Sequence, residues 1–255
     1  MLFIRSLIFF LFQTTLTIVM GGPLLLLTVP FSPLWRYRLI MRPWCKLIIK
    51  SARLICGIKY EFKGMENLPD APAVLLSKHQ SAWETIALPA MMPRPLCFVF
   101  KRELLRIPFF GWSIGLMKMI HIDRNKGSKA FAEVVQQGKD RLAEGRWIIM
   151  FPEGTRIARG KTGKYKSGGA RLAKDTNVPV IPIALSAARC WPKNSFIKYP
   201  GTITVSIGQP ISPVDLTTDE LNTQVENWIE NEMHQIDPDA YPNATASQAA
   251  HVQAA

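Results

Sequence analysis

The first part of the chain is strongly apolar and carries no charge over a long stretch. No charged residue occurs between Arg5 and Arg36. An apolar run of this length reaches across, or deep into, the hydrocarbon core of a bilayer. A cleavable secretory signal has a shorter apolar region and a small-residue cleavage site, so we expect this segment to be retained. Residues 6–35 are therefore predicted to lie in lipid.

Glycine and proline interrupt this apolar segment at Gly21, Gly22, Pro23 and Pro30. These residues break or kink helices. Two arrangements stay open: one kinked helix that spans the bilayer, and a helical hairpin that dips in and returns.

Residues 36–57 combine a basic stripe with an apolar one. The basic residues recur at mostly fourfold spacing and are Arg38, Arg42, Lys46, Lys50 and Arg53, and the apolar residues opposite are Trp44, Leu47, Ile48 and Ile55. This pattern predicts a basic amphipathic helix on an anionic membrane surface, with the following chain on the cytoplasmic side. The alternative is an ordinary core helix whose basic face is solvated.

From residue 58 the pattern changes to short apolar runs that alternate with helical periods. Strands are predicted at 58–64, 73–77, 96–100, 146–151, 178–185 and 202–208, with His121 in a further strand. Helices are predicted at 128–144 and from 217 to about 234. The alternation predicts an α/β domain at 58–236 with a mostly parallel or mixed central sheet. The Ala-rich stretch 237–255 is predicted to be a disordered tail.

Composition narrows the class of partner. The 31 basic and 19 acidic residues give a formal net charge of +12, which favours an anionic partner. Next to an apolar segment this charge indicates a membrane surface, and we expect no nucleic-acid partner. The cysteines form no CxxC pair, so we predict neither a zinc site nor a disulfide framework.

The motif SKHQSAWETIAL contains the first candidate for chemistry. His79 precedes Glu84 by five positions, and a strand that ends near Ser77 places the histidine in a loop before a helix. Ser81 and Glu84 fit a capping box, in which Glu84 reaches back over the first turn. The carboxylate is thus predicted to cap the helix, to orient a basic His79, or to do both.

A second motif, FPEGTR at residues 151–156, follows a predicted strand. Gly154 permits close approach of the backbone to a ligand, and Arg156 offers a planar fork of donors that suits a phosphate. The chain lacks the glycine-rich motifs of nucleotide-binding folds.

Together these motifs resemble the glycerophospholipid acyltransferase family, specifically its bacterial 1-acyl-sn-glycerol-3-phosphate acyltransferases. Residues 79–84 stand where the family has H-x4-D, and the later blocks correspond to KRELLRIPFFGW with HIDRN, FPEGTR with YKSGGARLA, and VPVIPIAL. The resemblance covers roughly residues 59–212. It implies a mixed central sheet flanked by helices, and an enzyme that acylates the sn-2 hydroxyl of lysophosphatidate to give phosphatidate.

The resemblance also implies roles for individual residues. His79 acts as the general base and Glu84 orients it, although the family has aspartate at that position. Lys101, or a backbone N–H near Gly154, stabilises the oxyanion. The acceptor is bound by Glu153, Gly154, Thr155 and Arg156, with Arg156 and Arg124 on its phosphate.

The implied donor is acyl-CoA or acyl carrier protein, with no cofactor and no metal. The implied location is the bacterial inner membrane, with the catalytic domain facing the cytoplasm. Two alternatives stay open. A sister acyltransferase that acts on a lyso-ornithine lipid or a lysophospholipid shares these motifs, and a non-catalytic lipid-binding protein would explain the anchor and the charge.

Overall fold

The computed structural model describes residues 1–123 and 128–241. Within these ranges seven strands form one sheet in the order β1-β7-β6-β2-β5-β3-β4. The strands are β1 Ile58–Lys63, β2 Val74–Ser77, β3 Leu96–Lys101, β4 Ile120–Ile122, β5 Trp147–Met150, β6 Val180–Leu185 and β7 Gly201–Ile207. All strands predicted from the apolar runs are confirmed.

The sheet is mixed, as the resemblance implied. β2 is parallel to β5 and β6, and β5 and β4 are both parallel to β3. β7 is antiparallel to β6 and parallel to β1. The carboxyl ends of β2, β3 and β5 therefore meet at one edge of the sheet, where ligands of open α/β sheets usually bind.

Helices cover both faces of the sheet. In the described ranges they are α1 Leu2–Val19, α2 Leu25–Leu27, α3 Pro33–Arg36, α4 Arg42–Cys56, α5 Trp83–Met91, α6 Phe110–Leu116, α7 Ser128–Ala143, α8 Gly168–Thr176 and α9 Thr218–Ile236. Short π-helical segments, Met20–Leu24 and Tyr37–Met41, join α1 to α2 and α3 to α4. Single 3₁₀ turns lie at Met65–Asn67, Arg102–Arg106, Ala187–Arg189 and Pro238–Ala240. Helices α7 and α9 confirm the two predicted helices, and Thr217 caps α9 in a capping box with Glu220.

Alternation along the strands creates two apolar layers. Leu75 and Ile149 face the layer that contains α4 and α5. Their neighbours Leu76 and Ile148 face the layer that contains α7, α8 and α9. Side chains of adjacent strand residues point to opposite faces of a sheet, so the central strands are apolar throughout.

The N-terminal helix lies along the α/β domain. The stretch Leu2–Leu27 is long and apolar enough to cross a membrane. Ser6 Oγ accepts the backbone N–H of Lys198 at 2.9 Å, and Thr17 Oγ1 accepts the indole N–H of Trp44 at 3.2 Å. Contacts with the domain therefore recur from the first turns of α1 to its last.

Helix α4 differs from the predicted membrane-surface helix. Ile48 and Ile49 are buried in the layer shared with α5, whereas Leu47 and Leu54 are exposed. The apolar side of α4 thus packs mainly on the protein, as the core-helix alternative held. Periodicity does not distinguish an apolar face that meets lipid from one that meets a core.

The predicted tail begins with residues that pack on the domain. Asp237 is fully buried and accepts two hydrogen bonds from Arg159, at 2.6 and 2.8 Å, and Pro238–Ala240 forms a 3₁₀ turn. The expectation of disorder is therefore wrong for residues 237–241. Residues 242–255 lie outside the described ranges.

Candidate active site

Glu84 caps α5 and orients the histidine with the same oxygen. Its Oε1 accepts the backbone N–H groups of Gln80 at 2.8 Å and Ser81 at 2.7 Å, and lies 2.8 Å from His79 Nδ1. The carboxylate is fully buried and stands in the first turn of α5, where the helix dipole favours negative charge. Glu84 thus reaches back over the first turn and contacts His79, but the Ser81 hydroxyl accepts the N–H of Trp83, so only the carboxylate half of the predicted capping box is present.

His79 lies on the loop after β2, and only one of its two ring nitrogens contacts Glu84. Its ring stacks on Phe151, with centroids 3.9 Å apart and an interplanar angle of 15°. The side chain is 14% exposed. Because Nδ1 is occupied by Glu84, Nε2 is the nitrogen that can receive a proton from a substrate.

The turn after β5 is hydrogen-bonded to the loop that carries His79. Gly154 closes this turn with φ of +66° and donates its N–H to the carbonyl of Phe151 at 2.9 Å. Glu153 accepts the backbone N–H of His79 on Oε2 at 2.7 Å, and Ile157 donates its N–H to the His79 carbonyl, also at 2.7 Å. The two motifs that the sequence analysis singled out are therefore in contact.

This geometry changes two of the expected roles. Glu153 is only 3% exposed and its carboxylate points into the protein, so it supports the site and does not line it as an acceptor-binding group. The N–H of Gly154 is already donated to the Phe151 carbonyl. It is therefore not a free donor for an oxyanion, and Lys101 or another backbone N–H near Gly154 stays the expected donor.

Arg156 lies in the turn after β5, beside the residues that hold the histidine loop. Its Nε is buried without a hydrogen-bond partner among residues 1–123 and 128–241. A buried, unsatisfied guanidinium nitrogen suits a bound anion that completes its hydrogen bonds. Lys193 donates to the Arg156 carbonyl at 2.6 Å, and the Lys166 Nζ lies 2.9 Å from the place that a Cβ on Gly154 would take. The adjoining Thr155 is exposed.

Lys101 stands at the exposed carboxyl end of β3, in register with Ile122 of β4. One strand, β5, lies between β3 and β2, so Lys101 and His79 share the edge without direct contact between their strands. Arg124 lies outside the described residues.

Sequence reasoning missed a buried cation directly before the histidine. Lys78 is fully buried, with its Nζ 2.8 Å from Glu153 Oε1 and 2.6 Å from Glu230 Oε1. Burial raises the pKa of Glu153, and the ammonium of Lys78 opposes that rise. Burial, reinforced by Glu153 and Glu230, also raises the pKa of Tyr165. A lysine inside the motif was visible in the sequence, but its partner on α9 was not.

A mixed α/β sheet with a histidine and a carboxylate in contact at one edge defines the class of protein to which the chain is compared. Residues 59–186 match the family model described as Acyltransferase, and the chain belongs to that family. Over 241 residues it is 42% identical to the 1-acyl-sn-glycerol-3-phosphate acyltransferase of Pseudomonas aeruginosa, an alignment that covers 92% of each chain. It is 30% identical over 179 residues to 1-acyl-sn-glycerol-3-phosphate acyltransferase alpha of Mus musculus, with 69% of this chain and 63% of that one covered.

A solved structure has the same fold. The crystal structure of the 1-acyl-sn-glycerophosphate acyltransferase PlsC from Thermotoga maritima superimposes with a TM-score of 0.74. The two chains are 23% identical, and the match covers 91% of this chain and 94% of that one. The fold class and the family resemblance predicted from the sequence are confirmed.

Proposed function

We propose that the protein transfers a fatty acyl group from acyl-CoA or acyl carrier protein to the sn-2 hydroxyl of 1-acyl-sn-glycerol-3-phosphate, which gives phosphatidate. The observation that carries this proposal is the oriented His79–Glu84 pair at the same sheet edge as Arg156, whose buried Nε has no hydrogen-bond partner within the described part of the chain. The names of the relatives above indicate the same acceptor. The product places the enzyme in phospholipid biosynthesis.

The base acts through His79 Nε2. This nitrogen takes the proton of the acceptor hydroxyl as its oxygen attacks the thioester carbonyl carbon. The tetrahedral intermediate then expels the thiolate, which receives the proton from the imidazolium. Glu84 stabilises the positive charge that the imidazole acquires in between, as the acid of a hydrolytic triad does. A thioester is already activated, so the mechanism needs neither a covalent acyl-enzyme nor a cofactor.

Arg156 binds the acceptor phosphate in this proposal. Its buried Nε gains a partner from the phosphate oxygens, and the Lys166 ammonium adds positive charge beside Gly154. Thr155, exposed in the same turn, is placed to add a hydroxyl contact. Lys101 supplies the donor for the oxyanion from the neighbouring strand end.

Membrane association follows from the apolar N-terminal helix. The domain contacts α1 at Ser6 and again at Thr17, which favours a helix that dips into one leaflet beside the domain over one that projects through the bilayer. Phe110 and Trp112 of α6 expose apolar rings, 42% and 50% exposed, beside the end of this helix. We place the protein at the bacterial inner membrane with the catalytic edge open to the cytoplasmic side.

Acyl transfer in detergent micelles tests the function. The assay offers a long-chain acyl-CoA, or the acyl carrier protein thioester, and compares lysophosphatidate with lysophosphatidylcholine and lyso-ornithine lipid, with EDTA present throughout. Phosphatidate as the main product supports the proposal. Preferential acylation of either other lysolipid contradicts the proposed acceptor and assigns the protein to a sister activity. Lipid binding without any acyl product contradicts catalysis.

A further inference from the structure

A buried ionic cluster joins the histidine loop to the C-terminal helix. We call it the Lys78 cluster; its members are Lys78, Glu153, Thr162, Tyr165 and Glu230. The Lys78 ammonium contacts both carboxylates, at 2.8 and 2.6 Å. Glu230 accepts the Tyr165 hydroxyl on Oε1 and the Thr162 hydroxyl on Oε2, each at 2.8 Å. Glu230 lies on α9, 152 positions after Lys78 in the chain.

Stability alone is a weak reason for such a cluster. Removing charges from water costs free energy that the ion pairs only partly return, and apolar side chains of similar volume often stabilise a protein as well or better. The side chains of Lys78 and Glu153 are both completely excluded from solvent. A buried ion-pair network still favours one arrangement of the chain, because moving one of its charges leaves another buried without its partner.

The arrangement defined here is that of the catalytic loop. Glu153 uses one oxygen for the backbone N–H of His79 and the other for the Lys78 ammonium. The same residue belongs to the turn that carries Arg156 three positions later. The orientation of this one carboxylate therefore sets where the base stands relative to the cation for the phosphate.

We propose that Lys78 is a positioning residue for acyl transfer: its ammonium, held by Glu230, fixes the Glu153 carboxylate under the His79 backbone and so sets the separation of His79 from Arg156. This role rests on the proposed function. It assigns no contact between Lys78 and substrate. Glu230, on the last long helix of the described chain, becomes a second positioning residue although it lies far from both motifs in the sequence.

The test compares Lys78→Met with a matched buried lysine. Lys198 is 8% exposed and its ammonium donates to the carbonyls of Ser195 and Phe196 at 2.8 and 2.9 Å, away from the motif residues. For wild type, Lys78→Met and Lys198→Met, the kcat and the KM for lysophosphatidate are measured beside the thermal unfolding midpoint. Misplacement of reacting groups by about 1 Å costs about 100-fold in rate, so Lys78→Met is expected to lose about 100-fold in kcat/KM with a raised KM.

A loss of folded protein alone lowers the apparent kcat and leaves KM unchanged, which is the result expected for Lys198→Met. Wild-type KM in Lys78→Met would overturn the proposal. Glu230→Gln provides a second test if Lys78→Met fails to fold, because glutamine keeps the shape and removes the charge. Glu230→Gln is also expected to raise the KM for lysophosphatidate. An unchanged KM in this variant overturns the proposal independently.

A double variant, Lys78→Met with Glu230→Gln, tests whether the two residues act as one unit. We expect it to be no worse than Lys78→Met alone, since residues of one network are not additive. Multiplied losses contradict the coupling through Lys78. Failure of the proposed function is a separate result, because wild type would then form no phosphatidate at all.

Discussion

Substitution of Glu84 by glutamine separates its electrostatic role from its capping role. The amide oxygen of glutamine still accepts the N–H groups of Gln80 and Ser81 and the N–H at His79 Nδ1, which Oε1 now meets at 2.7 to 2.8 Å. The Oε2 position, where the amide nitrogen would lie, has no hydrogen-bond partner in the described part of the chain. The negative charge is lost, and the amide nitrogen brings N–H donors to a position that has no hydrogen-bond partner among residues 1–123 and 128–241.

The size of the effect follows from the 2.8 Å separation of His79 and Glu84. The Coulomb attraction of unit charges at this distance is about 6 kcal/mol at an effective dielectric constant of about 20. The remaining neutral hydrogen bond and the spread of charge over the imidazolium reduce the net loss, because a hydrogen bond to a charged group contributes about 1.5–3 kcal/mol. We therefore expect kcat, measured at equal folded concentration, to fall about 100-fold, or about 2.7 kcal/mol.

The assay follows phosphatidate at saturating donor and acceptor, and circular dichroism follows unfolding. Glu84→Ala is the control for the cap: it leaves two buried backbone N–H groups without their acceptor, at about 1–3 kcal/mol each, so it loses stability as well as activity. Glu84→Asp is expected to keep substantial activity. Wild-type turnover in Glu84→Gln would refute the reasoning and reduce Glu84 to a helix cap.

Three further predictions test other parts of the account. Arg156→Met is expected to raise the KM for lysophosphatidate about 10–100-fold by loss of charge-assisted hydrogen bonds, and an equal rise for the acyl donor would contradict phosphate binding. Asp237→Asn, which breaks the buried partner of Arg159, should lower the free energy of unfolding by about 1–3 kcal/mol in urea titrations; no change would show that residues 237–241 contribute little. Trp112→Ser is expected to weaken binding to anionic vesicles about tenfold by loss of apolar contact, and sedimentation with unchanged binding would remove α6 from the membrane surface.

The sheet was predictable because its signal is local. Runs such as 146–151 and 178–185 are apolar, rich in β-branched residues and bounded by turn formers, and they coincide with β5 and β6. The contact between His79 and Glu84 was also within reach, since the S-x-x-E pattern predicts a side chain that folds back over the first helical turn.

The remaining features depend on long-range packing. Glu153 looks like an exposed turn residue in the sequence, and only the position of Lys78 shows that it points inward. No local pattern connects Lys78 with Glu230 on α9. Likewise, the basic stripe of α4 was correct as a pattern, but the partner of its apolar face was decided by α5 and the sheet.

Formation of phosphatidate by wild type and by His79→Ala tests whether His79 is the base of an acyl transfer. Both proteins are given the same acyl-CoA and lysophosphatidate at equal folded concentration, and free thiol is measured in parallel with the lipid product. We expect matched amounts of thiol and phosphatidate from wild type and neither product from the variant. Phosphatidate from His79→Ala at the wild-type rate would contradict the assigned base, and thiol release without phosphatidate from wild type would contradict acyl transfer itself.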